Sequence, residues 1–472
     1  MKSPFFFAMA VFWLFACATG AEPAAPTHAQ KPNIIVFLVD DLGWRDVGYA
    51  GSRYYETPNI DRLSTQGMRF NQAYSACAVC SPTRASIMTG KWPARLHITD
   101  WIPGEGNKPA GRFTLPDWQK SLPVGEQSLA TALKKAGYAT AIAGKWHLGN
   151  GPSRPEHHGF DTSIGVNQAG QPGSYFFPYG KAGTASHVPL DEDGVGRPDA
   201  YLTDRLTVGA QRYIEKHHVD HPEQPFFLYM PHYAVHTPLM AKKALVDKYK
   251  AKAPDGGQKN PTYAGMVESM DDGMGGLLAT LDKLHLRENT VIVFTGDNGG
   301  LSHYPATSNA PLREGKGFAY EGGDRVPLLV VWPGHIPAGQ SATPVISTDF
   351  YPTLLGLAGV KLDHAVDGVD LAPLWAKEPS ETAPIKTRDA LFWHYPHYWS
   401  GTDVSPYSVV RQGDWKLIHF YETGRWELYN LKDDPSETKD LAKDNPAQAE
   451  KLRARLTAWL KETGAQMPVR KP

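Results

Sequence analysis

The sequence predicts an α/β fold: a large mixed, mostly parallel sheet flanked by helices, followed by a smaller C-terminal antiparallel sheet plus a helix. Three observations predict it. The runs 33–39 (NIIVFLV), 225–230 (PFFLYM) and 290–295 (TVIVFT) are apolar without alternation, as strands buried on both faces of a parallel sheet must be. Segments of helical period lie between strand-like runs, the order expected of an open sheet with helices packed on it. Beyond residue 388 the apolar runs become short, alternating and separated by turns, which is the pattern of antiparallel strands.

The first strand, 33–39, ends at Asp40-Asp41. Residues 58–67 predict a short helix and 68–74 a strand. Helical periodicity over 128–136 stops at Gly137, a C-terminal cap residue, and 138–143 is the next strand. After the strand at 225–230 come a long helix over 263–284, the strand at 290–295 and one more at 326–332. Polar, Pro-containing 375–388 is a linker that divides a main domain, 32–375, from a C-terminal subdomain, 376–472. In the latter, 391–394, 408–411, 415–420 and 426–430 are strands, and 446–463 is an amphipathic helix.

The N-terminus reads as a targeting segment. Lys2 precedes an apolar run from Phe5 to Cys17, then small residues, which is the layout of a secretory signal peptide over 1–21 with cleavage near Gly20 or Ala21. Leu14-Phe15-Ala16-Cys17 also has the form of a lipobox, so lipid anchoring through Cys17 is an alternative to free periplasmic or secreted protein. Residues 22–31 form a Pro- and Ala-rich tether. No later stretch is apolar for long enough to span a membrane. With 41% hydrophobic residues the chain can build a large core, and a formal net charge of −1 gives no sign of a general polyanion- or nucleic-acid-binding surface. Anion recognition must come from a few placed cations.

Polar residues cluster just after strand ends, where open α/β sheets bind ligands. Asp40-Asp41, Lys145-Trp146-His147 and Asp297-Asn298 all sit there. The acidic and amide groups are hard oxygen ligands suited to Ca²⁺ or Mg²⁺. Each pair also has a plainer reading: Asp40-Asp41 can cap a helix, and Asp297-Asn298-Gly299-Gly300 is a turn sequence. The cysteines are Cys17, Cys77 and Cys80. Cys77-x-x-Cys80 can be a disulfide or a redox pair, but a zinc site lacks a second cysteine pair.

Residues 80–90, CSPTRASIMTG, decide among these readings. The segment resembles the signature of the type I sulfatases of the alkaline phosphatase superfamily, in which the cysteine of C-x-P-x-R is oxidised to Cα-formylglycine by a maturation enzyme. The resemblance extends through Gly144–Gly149 (GKWHLG), His236-Thr237-Pro238, 316–327 (KGFAYEGGDRVP) and 426–435 (WELYNLKDDP), in the family's order. It implies an alkaline phosphatase-like fold and hydrolysis of sulfate monoesters. It implies that Asp40, Asp41, Asp297 and Asn298 bind one divalent cation, Ca²⁺ or else Mg²⁺, with the modified Cys80 completing the shell. One hydroxyl of the aldehyde hydrate would attack sulfur and the other would later expel sulfate. Arg84 would hold the hydrate, Lys145 would contact hydrate and sulfate, His147 would assist elimination, and His236 and Lys316 would bind sulfate and protonate the leaving oxygen. Trp146 is expected to pack, and Glu321 and Arg325 to form an internal ion pair. Glu314 departs from the family's usual small residue.

The expected substrate is a sulfated carbohydrate, with aryl sulfates as small surrogates. An exo-acting sulfatase on galactose or N-acetylgalactosamine sulfate of polysaccharide or glycosaminoglycan fragments fits the overall pattern. Asp100, Trp101, His303, Arg313, His394 and His397 are the loop residues placed to touch it. Two other functions carry the same residues: a phosphodiesterase or phosphonate monoester hydrolase of the superfamily, and a non-catalytic glycan-binding relative.

Overall fold

A computed structural model of the chain describes residue 1 and residues 31–104, 111–167, 169–190, 197–304, 306–374, 388–400 and 402–472. The signal peptide, the tether up to residue 30, Cys17 and most of the expected linker lie outside these residues.

The sheet has eight strands: β1 (Asn33–Val39), β2 (Met68–Phe70), β3 (Ala139–Ala143), β4 (Thr162–Ile164), β5 (Phe226–Pro231), β6 (Thr290–Gly296), β7 (Leu328–Val331) and β8 (Gly339–Ser341). Their order across the sheet is β8-β2-β7-β6-β1-β5-β3-β4. β7 alone runs antiparallel to its neighbours β2 and β6; all other pairings are parallel. Both faces are covered. Ile35, Phe37 and Val39 of β1 join a core with Leu206, Ile214, Met270 and Met274. Ile34, Val36 and Leu38 point the other way, against Ile87, Met88, Leu133 and Leu354. Two-sided burial explains the unbroken apolar sequence of β1, and each such side chain contributes about 1.5–3 kcal/mol.

Seven helices matter below: α1 (Pro58–Ser64), α2 (Cys80–Thr89), α3 (Leu129–Lys135), α4 (Leu202–Asp220), α5 (Pro261–Lys283), α6 (Phe350–Leu357) and α7 (Pro446–Glu462). Ser128 caps α3 by accepting from the Thr131 N–H, and Gly137 follows its end at φ +94°. Asn260 caps α5 by accepting from the N–H groups of Thr262 and Tyr263, ahead of Pro261 in the first turn.

Four expectations need correction. The helix at 58–67 stops at Ser64. The strand at 68–74 is two pieces, because Ala73–Tyr74 leaves the main sheet to pair with Val345–Ile346. Helices α2, α4 and α6 were not expected. The strand at 326–332 is shorter and antiparallel, an orientation that an apolar run does not encode. Near the C-terminus the chain forms a second, smaller sheet, a four-stranded antiparallel meander of β9 (Leu391–Tyr395), β10 (Tyr407–Gln412), β11 (Trp415–Phe420) and β12 (Arg425–Asn430). Helix α7 packs Leu452, Leu456 and Trp459 into its core, and Trp459 stacks on Phe392 with ring centroids 4.7 Å apart.

Candidate active site

Four adjacent strands, β6-β1-β5-β3, deliver the site. The parallel register pairs Val39 with Gly296, so Asp40 and Asp297, the next residue on each strand, emerge side by side. Beyond β5 the chain runs to His236, and beyond β3 a single glycine precedes Lys145. That glycine, Gly144, holds φ +120°, and a Cβ there would lie 2.1 Å from the Pro231 carbonyl oxygen, so the turn that presents Lys145 needs glycine. Asp41 and His147 also sit in the left-handed region, at φ +61° and +56°, a conformation that costs a non-glycine residue roughly 1–2 kcal/mol.

Helix α2 brings the signature under these strand ends. Cys80 is its first residue, where unpaired N–H groups and the positive end of the helix favour negative charge. One turn on, Arg84 is fully buried. Its Nε donates to Asp297 Oδ2 at 2.9 Å and its Nη1 to the Lys145 carbonyl at 2.8 Å, while Nη2 lies 2.7 Å from Asp297 Oδ2 and 3.8 Å from Asp40 Oδ1. Ser81 donates to the His147 carbonyl at 2.8 Å and accepts from the Ile102 N–H at 3.0 Å, tying the helix to two loops. Ser81 is a positioning contact that sequence reasoning passed over.

Two lysines complete the cluster. Lys145 Nζ lies 2.6 Å from Asp40 Oδ2, and Lys316 Nζ 2.6 Å from Asp41 Oδ1. Asn298 Nδ2 donates to Asp41 Oδ1 at 2.8 Å. Ligand atoms of Asp40, Asp41, Cys80 and His236 all lie within 4.8 Å of one another, with Cys80 Sγ 3.6 Å from Asp40 Oδ1. Among the described residues, Asp41 Oδ2 and Asn298 Oδ1 are buried without a hydrogen-bond partner. Unpaired buried oxygens among hard ligands fit a divalent cation. Three carboxylates balance three cationic side chains here, so a bound divalent cation would leave the site positive, as an anionic substrate requires.

The titrating groups follow from burial and neighbours. Burial pushes the Cys80 thiol up to about 12, against the pull of Lys145 and Lys316, so the unmodified residue is a neutral thiol and a weak nucleophile. Burial and the adjacent Asp297 raise Asp40 to about 7 despite Lys145. For Asp41 burial pulls upward, but Lys316 and His236 win and hold it well below the usual carboxylate range. Burial, then Lys316, lowers His236 to about 3; burial, then Lys145 and Arg84, holds His147 well below its ordinary value. Both imidazoles are neutral, and their contacts fix their tautomers. His236 Nδ1 faces the Thr237 carbonyl at 2.8 Å and so carries the hydrogen; Nε2 points to Asp41 at 3.8 Å. His147 Nε2 donates to the Ile102 carbonyl at 2.5 Å, leaving Nδ1 buried with no partner among the described residues.

A cavity of about 570 Å³ opens over the cluster, lined by Asp41, Cys80, His147, His236 and Lys316 and walled by Trp101, Ile102 and Trp399. Gly170 lines it at φ +69°, where a Cβ would lie 2.3 Å from the His147 ring. All ten sequence-derived site residues thus fall in one buried cluster. The expected loop residues divide. Trp101 lines the cavity. Asp100 and His397 line a neighbouring hollow with Trp118. His303 packs edge-on against Trp399. Arg313 bonds the Tyr429 hydroxyl and the Glu437 carbonyl, and His394 is buried between Ser408 and Gln466, so these two serve the packing of the smaller sheet. Trp399, which carries no motif, is the aromatic wall that the sequence did not reveal. Trp146 is a packing residue, edge-on to Phe160. Glu321 pairs with Arg325 at 3.6 Å but more closely with Lys416, at 3.1 Å. Cys77 and Cys80 are both free thiols, contrary to a disulfide-paired redox motif.

The comparisons agree with this geometry. The Sulfatase family matches residues 32–360, and the family described as N-sulphoglucosamine sulphohydrolase, C-terminal, matches 315–466. A "Sulfatase" from Formosa agariphila is 34% identical over 92% of this chain and 90% of its own. The N-acetylgalactosamine-6-sulfatase of Mus musculus is 36% identical over 85% of this chain and 74% of its own. The crystal structure of Ps i-CgsB in complex with k-i-k-neocarrahexaose superposes with a TM-score of 0.75 at 31% identity, covering 91% of this chain and 93% of that one. The cysteine-headed helix, the strand-end carboxylates and these likenesses together make the chain a member of the sulfatase family, a sulfuric ester hydrolase of alkaline phosphatase-like fold.

Proposed function

We propose that this sulfatase removes sulfate from the terminal sugar of sulfated polysaccharide or glycosaminoglycan fragments, on galactose or N-acetylgalactosamine, with Cys80 matured to Cα-formylglycine by a partner enzyme. The observation that carries the proposal is the convergence of Cys80, Asp40, Asp41 and His236 within 4.8 Å, ringed by Arg84, Lys145 and Lys316 at the floor of a cavity with two tryptophans in its wall. A carbohydrate substrate is supported by the likeness to a structure bound to an oligosaccharide and to N-acetylgalactosamine-6-sulfatase.

Asp40, Asp41, Asp297 and Asn298 would hold Ca²⁺ or Mg²⁺, which supplies Lewis-acid charge and an acidified nucleophile. The formylglycine hydrate supplies that nucleophile in place of the neutral thiol, and lets sulfate leave by C–O cleavage. The remaining roles belong to the chain itself. Lys145 and Lys316, held on Asp40 and Asp41, offer fixed positive charge to the sulfate oxygens. Lys316 keeps its proton because Asp41 outweighs burial, so it can donate to the leaving oxygen. His236 Nε2 lacks a proton in the neutral ring, and a bound sulfate would draw one to it. His147 lines the cavity beside Cys80 with Nδ1 buried and unpartnered among the described residues, and would serve as the base for a hydroxyl at position 80. Trp101 and Trp399 offer apolar faces to a pyranose ring.

The export inferred from the N-terminal segment is part of this reading, and no helix among the described residues is long and apolar enough to cross a membrane. The test is sulfate release from oligosaccharides sulfated at the non-reducing end against ones sulfated only internally, with matched phosphate esters in parallel. Release from terminal sulfates only is expected. Preference for phosphate esters, or equal cleavage of internal sulfates, would overturn the corresponding part of the proposal.

A further inference from the structure

A second hollow, about 360 Å³, adjoins the reaction cavity. Asn150 and Ala185 line both. The rest of its wall is largely polar, with Arg154, Asn167, Thr184 and His187 among the lining side chains. Asn167 is buried, and its Nδ2 donates to the carbonyls of Gln171 at 2.7 Å and Ser186 at 3.2 Å, which leaves Oδ1 without a partner among the described residues. Arg154 is more than half exposed, and its Nε lies 3.4 Å from a Glu156 carboxylate oxygen. Among the described residues that is its one ion pair, which leaves most of the guanidinium's donors for another acceptor, and its planar fork matches sulfate and carboxylate oxygens. None of these residues belongs to the reaction cluster except through the shared wall.

Resting on the sulfatase reading, we infer that this hollow binds the sugar linked next to the one being desulfated, and that Arg154 recognises an anionic group on that neighbour. Amide, hydroxyl and imidazole groups beside one cation suit a hydroxyl-rich ring bearing a single negative charge. The site bears on which oligosaccharides are chosen and leaves the sulfate-cleaving chemistry untouched.

The test compares wild type and Arg154→Ala, each with Cys80 converted, on p-nitrophenyl sulfate and on three sulfated disaccharides whose second sugar carries a sulfate, a carboxylate or neither. Arg154→Ala should lower kcat/KM roughly ten- to hundredfold on a disaccharide with a charged neighbour, and leave p-nitrophenyl sulfate and the neutral disaccharide within about twofold. The two charged disaccharides tell whether sulfate or carboxylate is the recognised group. Equal losses on every substrate, or no loss on any, would overturn the inference. Failure of the converted wild type to cleave any disaccharide while p-nitrophenyl sulfate turns over would instead remove the carbohydrate-sulfatase reading, and the inference with it.

Discussion

Lys316 Nζ lies 2.6 Å from Asp41 Oδ1, and both side chains are buried. The lysine therefore answers to two groups, a carboxylate placed to ligate a cation and the sulfate that would sit above it. Lys316→Ala should lower kcat on p-nitrophenyl sulfate about 10²- to 10³-fold, the usual loss of one fixed charge-stabilising donor. It should also lower the thermal midpoint, since breaking a buried pair costs about 3–5 kcal/mol, with part of that loss recovered by added Ca²⁺. Wild-type kcat in this variant would refute its role.

Chelation provides a second check. If Asp40, Asp41, Asp297 and Asn298 hold a divalent cation, EDTA should abolish activity and lower the midpoint, and Ca²⁺ or Mg²⁺ should restore both. A cation at 100 times its Kd stabilises by about 2.7 kcal/mol. A midpoint indifferent to EDTA and to both cations would argue against a cation bound at these residues.

His147 should separate the two halves of the reaction. His147 lines the same cavity as Cys80, with Nδ1 buried and unpartnered among the described residues, so His147→Ala should release one equivalent of p-nitrophenol quickly and then stall, with steady-state kcat down about 10²- to 10⁴-fold. Rapid-quench measurement of the burst decides this. A variant slowed equally in both phases would place His147 in the first step.

Stability should depend on pH through a buried cluster on the β11 side of the site. Lys416 Nζ lies 3.1 Å from Glu321 and 2.8 Å from Glu437. One lysine between two carboxylates cannot satisfy both: burial, then Glu321, raises Glu437 from 4.5 to about 7, while Glu321 is lowered. A folded value above the unfolded one means that Glu437's contribution is complete below pH 4.5 and is lost as pH rises through about 7. Wild type should therefore lose on the order of 1–3 kcal/mol relative to Glu437→Gln between about pH 5 and pH 8. Parallel stability profiles for the two proteins would contradict this.

The parts of the fold legible in the sequence are those where burial leaves a mark. Strands β1, β5 and β6 are covered on both faces and so are continuously apolar, and the polar residues beyond them mark the ligand end of the sheet. Helix α2 was not legible as a helix: all ten residues are buried, so it has no polar face and no period of 3.6. Helix α4 does carry a stripe, Leu202, Leu206, Ala210 and Ile214, but its many charged and histidine residues obscured it. The orientation of β7 depends on how the chain returns to the sheet. In the site, the residues within motifs were readable and those that arrive by tertiary folding were not. Trp399 reaches the cavity from the connection between β9 and β10 of the smaller sheet, and Ser81 acts through a neighbour's carbonyl.

Everything proposed for the chemistry requires that position 80 is not a thiol in the active protein. The fragment mass of the tryptic peptide spanning residues 70–84, from protein made in a host that matures a control sulfatase, decides it. This peptide also contains Cys77, an internal reference. A loss of about 18 Da is expected at position 80 alone, the change from thiol to aldehyde that the covalent mechanism requires. An unmodified thiol at Cys80 in that host, in protein that still cleaves sulfate esters, would contradict it.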